Sequence, residues 1–161
     1  PEDYGVQHRL MPCEECTHFV SIGQDIFGRD QQMMPQAARA WLDMKAAAAS
    51  CGIDLQAVSA FRSVDYQADI IRKKLDAGHS VEKILEVSAA PGYSEHHSGR
   101  ALDISTPGFE PLEEAFENSA AFEWLQQSAA NFCFSMSFPR NNPHGLAYEP
   151  WHWCWTTAAA E

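Results

Sequence analysis

From Pro35 to Cys51 the chain is rich in Ala, Met and Leu, and Ala38, Trp41, Leu42 and Met44 or Lys45 recur at helical spacing. That period predicts an amphipathic helix, with Gly52 in the place of a C-cap. Leu55 to Phe61 alternates instead, predicting a strand with Leu55, Val58 and Ala60 turned inward. Val64 to Leu75 returns to the helical period, with Tyr66, Ile70, Ile71 and Leu75 on one face. Ser80 is placed to cap a third helix, with Glu82 in its first turn and Val81, Ile84 and Leu85 inward.

After the break at Ala90-Pro91-Gly92, Ala101 to Ser105 reads as a short strand. Leu102 and Ile104 share one face; Ala101, Asp103 and Ser105 share the other. Pro111 to Asn131 is helical in two pieces, the second capped by Ser119. Phe132 to Phe138 is a strand with Phe132, Phe134, Met136 and Phe138 on one face. Glu149 to Trp155 is the last strand, with Trp151, Trp153 and Trp155 opposite His152 and Cys154. If Phe138 pairs with Glu149, Cys133 faces Cys154 and a cross-strand disulfide becomes available.

Helices and strands do not alternate strictly, and the last two strands form a hairpin. The expected fold is therefore α+β, a small antiparallel sheet flanked by helices. Residues 1–34 are read as an irregular N-terminal segment, 35–155 as the domain and 156–161 as a frayed tail. A chain of 161 residues with 45% hydrophobic content suits one core. No apolar run is long enough to span a membrane. The net charge of -11 argues against a nucleic-acid partner, which calls for clustered Lys and Arg. The chain opens on Pro1, which implies a removed targeting segment or a trimmed end. Cys13-Glu14-Glu15-Cys16 lacks the second CxxC of a structural zinc site and reads as a local disulfide or two free thiols.

The candidate chemistry lies in two stretches. Ser94-Glu95-His96-His97-Ser98-Gly99-Arg100-Ala101-Leu102-Asp103 offers His96 and Asp103; Glu149-Pro150-Trp151-His152 offers His152 with a carboxylate before it. Two histidines and one aspartate can hold a zinc ion and leave a position open for water. A free glutamate beside that water is the general base that metal-assisted hydrolysis needs. An unpaired buried carboxylate at Asp103 would be costly, and a metal removes that cost. Pro150 disfavours a helix, so Glu149 belongs at a strand entrance where the chain bends. His97 should point away, and His8, His18, His79 and His144 are read as surface residues. Arg62, in Ser59-Ala60-Phe61-Arg62-Ser63, can grip a carboxylate or an oxyanion; the plainer reading pairs it with Asp65.

Together these pieces resemble the VanY-type zinc D-alanyl-D-alanine peptidases, a family that includes LD-carboxypeptidases and shares the Hedgehog/DD-peptidase fold. The matching pieces are Ser59 to Ser63 with Gln67, Ser94-x-His96-x-x-Gly99-x-Ala101-x-Asp103, and Glu149-Pro150-Trp151-His152-Trp153, in the family's order. Phe61 stands where many relatives carry Tyr. The resemblance implies one zinc ion on His96, Asp103 and His152, with Glu149 as general base. It implies that Arg62, Gln67, Ser94 and Trp151 meet the substrate, a peptidoglycan stem peptide or muropeptide. It implies action in the cell envelope or periplasm, or after secretion. The alternatives are an LD-carboxypeptidase, a wall-peptide endopeptidase and a non-catalytic zinc-binding module; an intact Glu149 argues against the last.

Overall fold

The computed structural model of the chain describes residues 3–157. Four strands form one antiparallel sheet in the order β3-β4-β6-β5. They are β3 (Gln56–Ser59), β4 (Ala101–Ser105), β5 (Phe134–Met136) and β6 (His152–Trp155). The helices are α1 (Tyr4–Gln7), α2 (Pro35–Ser50), α3 (Val64–Asp76), α4 (Val81–Val87) and α5 (Ala120–Ser128). The expected α+β architecture is the one observed.

Leu102 and Ile104 of β4, Phe134 of β5 and Trp153 of β6 share a core cluster with α2 and α5. The opposite face of the sheet carries Asp103 and His152, which stand directly across from one another on β4 and β6. Strand alternation thus sends the apolar residues to the core and both polar ones to a single site.

Residues 1–34 are more ordered than their sequence suggests. A short helix, α1, and a hairpin of β1 (Val20–Gln24) and β2 (Asp30–Met33) occupy the expected irregular segment. The hairpin's turn is built on the Asp25 carboxylate, which accepts from Phe27 N, Arg29 N, Arg29 Nε and Gln31 Nε2 at 2.7–3.1 Å. Ile26 N then bonds Ala57 O, and Ala60 N bonds the Gln31 side chain, so the hairpin covers the free edge of β3.

Three expected faces shift. On α2 the buried residues are Ala37, Ala38, Trp41, Met44 and Ala48, while Leu42 is exposed. The small alanines let the helix approach closely along a line rotated away from Leu42. On α3 only Gln67 is buried, and Tyr66 and Leu75 are exposed, because this helix lines the cleft rather than the core. On α4, Ile84 and Leu85 are inward as expected but Val81 is exposed.

The last hairpin forms, with a different register. Ser135, not Cys133, faces Cys154, and all five cysteines are free thiols. Phe132 closes a 3-10 turn that Cys133 ends at a left-handed φ of 62°, so β5 starts at Phe134, two residues later than expected. Glu149 N does bond Phe138 O as expected, at 3.0 Å. A turn closed by His152 N on Glu149 O at 3.1 Å then takes up two residues before β6 begins. Ser119 caps α5 as anticipated, its Oγ accepting from Phe122 N at 3.0 Å. The tail from residue 158 lies outside the described residues.

Candidate active site

Each candidate ligand is held by a different local device. Asp103 is fixed by β4, between Ser59 of β3 and His152 of β6. His96 sits in a 3-10 turn, Glu95–Ser98, capped by the Ser94 hydroxyl, which accepts from His96 N at 3.3 Å. Gly99 ends that turn at a φ of 71°, and its hydrogen stands where a Cβ would come within 2.9 Å of Met34 N. His152 opens β6 directly after the Pro150-Trp151 turn. That turn solves a geometric problem. Residues three apart on a straight strand face opposite ways, yet here Glu149 Oε2 lies 3.6 Å from His152 Nδ1.

One ligand atom from each of His96, Asp103 and His152 falls within 4.8 Å of the others, and all three residues are buried. His96 Nδ1 is already committed, donating to Ala60 O at 2.6 Å. Its Nε2 is buried without a hydrogen-bond partner and lies 3.3 Å from Asp103 Oδ1. His152 Nδ1 lies 3.1 Å from the same oxygen, and its Nε2 lies 2.8 Å from Glu95 Oε2. The three inward atoms are therefore His96 Nε2, Asp103 Oδ1 and His152 Nδ1. Two imidazole nitrogens and a carboxylate oxygen, one of them an orphaned buried atom, form a donor set that fits zinc.

Charge is sorted sharply here. Burial pushes the His96 pKa down, and the Arg62 guanidinium adds to this, so the ring stays neutral as a ligand should. Burial would raise Asp103, but the two imidazoles beside it hold it well below the usual carboxylate range. Burial likewise opposes a charge on His152, but the Asp103 and Glu95 carboxylates win and raise it to about 10. Glu149 is raised to about 7, chiefly by burial. A carboxylate with that pKa beside a metal position can take and return a proton near neutral pH.

The cleft over these atoms, about 410 Å³, is lined by every residue expected at the site: Arg62, Gln67, Ser94 and Trp151 join Glu149 and the three candidate ligands. Arg62 does not pair with Asp65. Its Nη1 lies 3.5 Å from Asp103 Oδ2 and donates to Ser59 Oγ at 3.2 Å. Gln67 Nε2 donates to Ala89 O at 2.8 Å, leaving Oε1 buried and unpartnered. His97 does point away and locks Arg62 from behind, its Nδ1 donating to Arg62 O at 2.7 Å. His8 and His144 are half-buried rather than on the surface, each ring bonded to the other's carbonyl at 2.9 Å.

Lys74 and Glu95 also line the cleft, and neither is among the expected site residues. Lys74, one turn beyond Ile70 on α3, donates to Ser88 Oγ at 2.6 Å. The spacing of Gln67, Ile70 and Lys74 could have revealed it. Glu95 reaches His152 and, at 2.6 Å, accepts from Ser137 Oγ. Its partners lie 57 and 42 residues away, and no local pattern announces them.

Comparison with known proteins identifies the family. YodJ of Bacillus subtilis (strain 168), a carboxypeptidase by name, is 43% identical over 74 residues, covering 44% of this chain and 27% of YodJ. The match thus spans about a quarter of that relative's length. The solved structure of the LD-carboxypeptidase LdcB superposes with a TM-score of 0.78 at 34% identity, over 88% of this chain and 69% of LdcB. A vancomycin-resistance D,D-pentapeptidase VanY in complex with Zn(II) shares the fold, with a TM-score of 0.68 at 21% identity over 91% of this chain and 82% of its own. A family model described as VanY, D-alanyl-D-alanine carboxypeptidase, matches residues 30–158. With most of its length under that match, and with the ligand stretches and the bent Glu149-Pro150-Trp151-His152 segment inside it, the chain belongs to the VanY family of D-alanyl-D-alanine carboxypeptidases.

Proposed function

We propose that this chain is a zinc-dependent carboxypeptidase that removes the terminal D-alanine from peptidoglycan stem peptides, acting in the cell envelope. The observation that carries the reading is the unpartnered His96 Nε2, facing Asp103 Oδ1 and His152 Nδ1 beside a Glu149 carboxylate raised to about 7. Zinc on those three atoms would supply a Lewis acid that polarises a carbonyl and acidifies a water. Glu149 is placed to take a proton from an attacking water and to return it to the leaving amine. Arg62, held by His97 and Ser59, donates to the developing oxyanion or to the substrate carboxylate. Gln67 Oε1 accepts from a peptide N–H.

Two cations, Arg62 and Lys74, in a cleft of about 410 Å³ suit a short peptide end bearing a free carboxylate. This favours terminal over internal cleavage. The likeness to LdcB, at 34% identity, favours a second reading in which the bond cut is the L,D bond of a tetrapeptide. Mass spectrometry of defined tetrapeptide and pentapeptide muropeptides separates the two. Loss of one alanine from the pentapeptide alone is the expected result, and it must vanish with a chelator. Loss from the tetrapeptide alone selects the L,D reading. No mass change from either substrate, with zinc present, overturns both.

A further inference from the structure

We infer that Glu95 is a positioning residue: together with Ser137 it fixes His152 so that Nδ1 is the atom offered to the metal. The inference rests on the zinc reading above. Glu95 itself is outside the ligand set. Its Oε2 lies 2.8 Å from His152 Nε2, and the same oxygen accepts from Ser137 Oγ at 2.6 Å. Ser137 stands one residue past β5, so this chain of bonds ties the 3-10 turn of His96 to β6 through the neighbouring strand region.

An imidazole offers two nitrogens, and the one that binds metal is set by what the other does. His96 is settled by a backbone carbonyl, Ala60 O at 2.6 Å. His152 has no such carbonyl on its outer nitrogen; Glu95 takes that place. A carboxylate in that role does more than a carbonyl. It holds the proton on Nε2, fixes the ring plane, and makes Nδ1 a stronger donor. Phe138 packs on the same ring, with centroids 5.0 Å apart, and limits its rotation. The cleft opens beside these groups, so Glu95 could instead touch substrate. Its shared Oε2, already occupied by two donors, points to the positioning role.

The test compares wild type, Glu95→Gln, Glu95→Ala and Ser137→Ala. Zinc affinity is read by competition with a chromophoric chelator, and the His152 ring by long-range proton–nitrogen spectra of the zinc-loaded chains. Loss of the carboxylate should weaken zinc binding about 10- to 100-fold in Glu95→Ala. Glu95→Gln, which keeps an acceptor, should lose less, and Ser137→Ala least. The Nε2–H signal should exchange slowly in wild type and broaden in Glu95→Ala. With zinc at saturating concentration, kcat should fall and KM should hold. Unchanged affinity and an unchanged His152 signal overturn the inference, as does a raised KM with normal zinc binding. A wild type that takes up no zinc defeats the zinc reading and this inference together, whereas normal wild-type binding with indifferent Glu95 variants defeats this inference alone. Should Glu95→Ala fail to fold, Ser137→Ala and Glu95→Gln carry the same ordering.

Discussion

Glu149→Gln should make the protein more stable while removing its chemistry. The Glu149 side chain is only 19% exposed, and its pKa rises from 4.5 to about 7, first through burial and then through the Asp103 and Glu95 charges, against the pull of His152 and Arg62. An acid whose folded pKa exceeds its unfolded value binds its proton more tightly when folded. Its charge therefore costs stability: nothing below pH 4.5, progressively more between 4.5 and about 7, and a constant amount above. The full rise corresponds to about 3 kcal/mol. Glutamine removes the charge but brings an amide that needs partners, at a cost of about 1 kcal/mol. The net is then a gain of about 2 kcal/mol at pH 8, or about 4–8 °C in Tm for a chain of this size, and a loss of about 1 kcal/mol at pH 4. The assay is thermal and urea unfolding of chelator-treated wild type and variant at both pH values. Zinc should shrink the gain, because a cation beside Glu149 offsets the repulsion from its neighbours. Hydrolysis should fall by at least about 10²-fold, as loss of a general base requires. A variant no more stable than wild type at pH 8, or equally stabilised at both pH values, would rule out a buried charge at Glu149 as the source of the cost.

Other expectations follow from the same geometry. Zinc must displace the proton that the raised His152 pKa of about 10 keeps on Nδ1. Uptake should release about one proton, and apparent affinity should rise about tenfold per pH unit from 7 towards 10; calorimetry in buffers of different ionisation enthalpy reads this, and a flat profile would contradict it. Gly99→Ala forces a side chain onto a φ of 71° and against Met34 N, so denaturant unfolding should show a loss of at least about 1–2 kcal/mol. Ser119→Ala removes the α5 cap and its bond to Phe116 O, and should cost about 1 kcal/mol by the same measurement.

What the sequence revealed was what local pattern carries. The alternation through Ala101 to Ser105 put Leu102 and Ile104 in the core and Asp103 opposite, and Pro150 marked the bend before His152. The β1–β2 hairpin leaves little pattern in the sequence because only Ile22 and Met33 turn inward; most of its other positions are polar, Val20 is exposed, and Asp25 and the edge of β3 hold it. The register of β5 on β6 was misjudged because the Glu149–His152 turn absorbs two residues, which no periodicity records. The buried face of α3 departs from its apolar pattern because Gln67 and Ile70 turn to the cleft that the helix lines, not to the core. Glu95 was passed over because its role exists only once His152 and Ser137 are folded against it.

Anomalous diffraction from zinc-loaded crystals would show whether zinc sits on the three atoms named above. One strong peak is expected, bonded to His96 Nε2, Asp103 Oδ1 and His152 Nδ1, with Glu149 beside it and not bonded to it. A peak on Cys13 and Cys16, one held through His152 Nε2, or no peak at full zinc loading would contradict it.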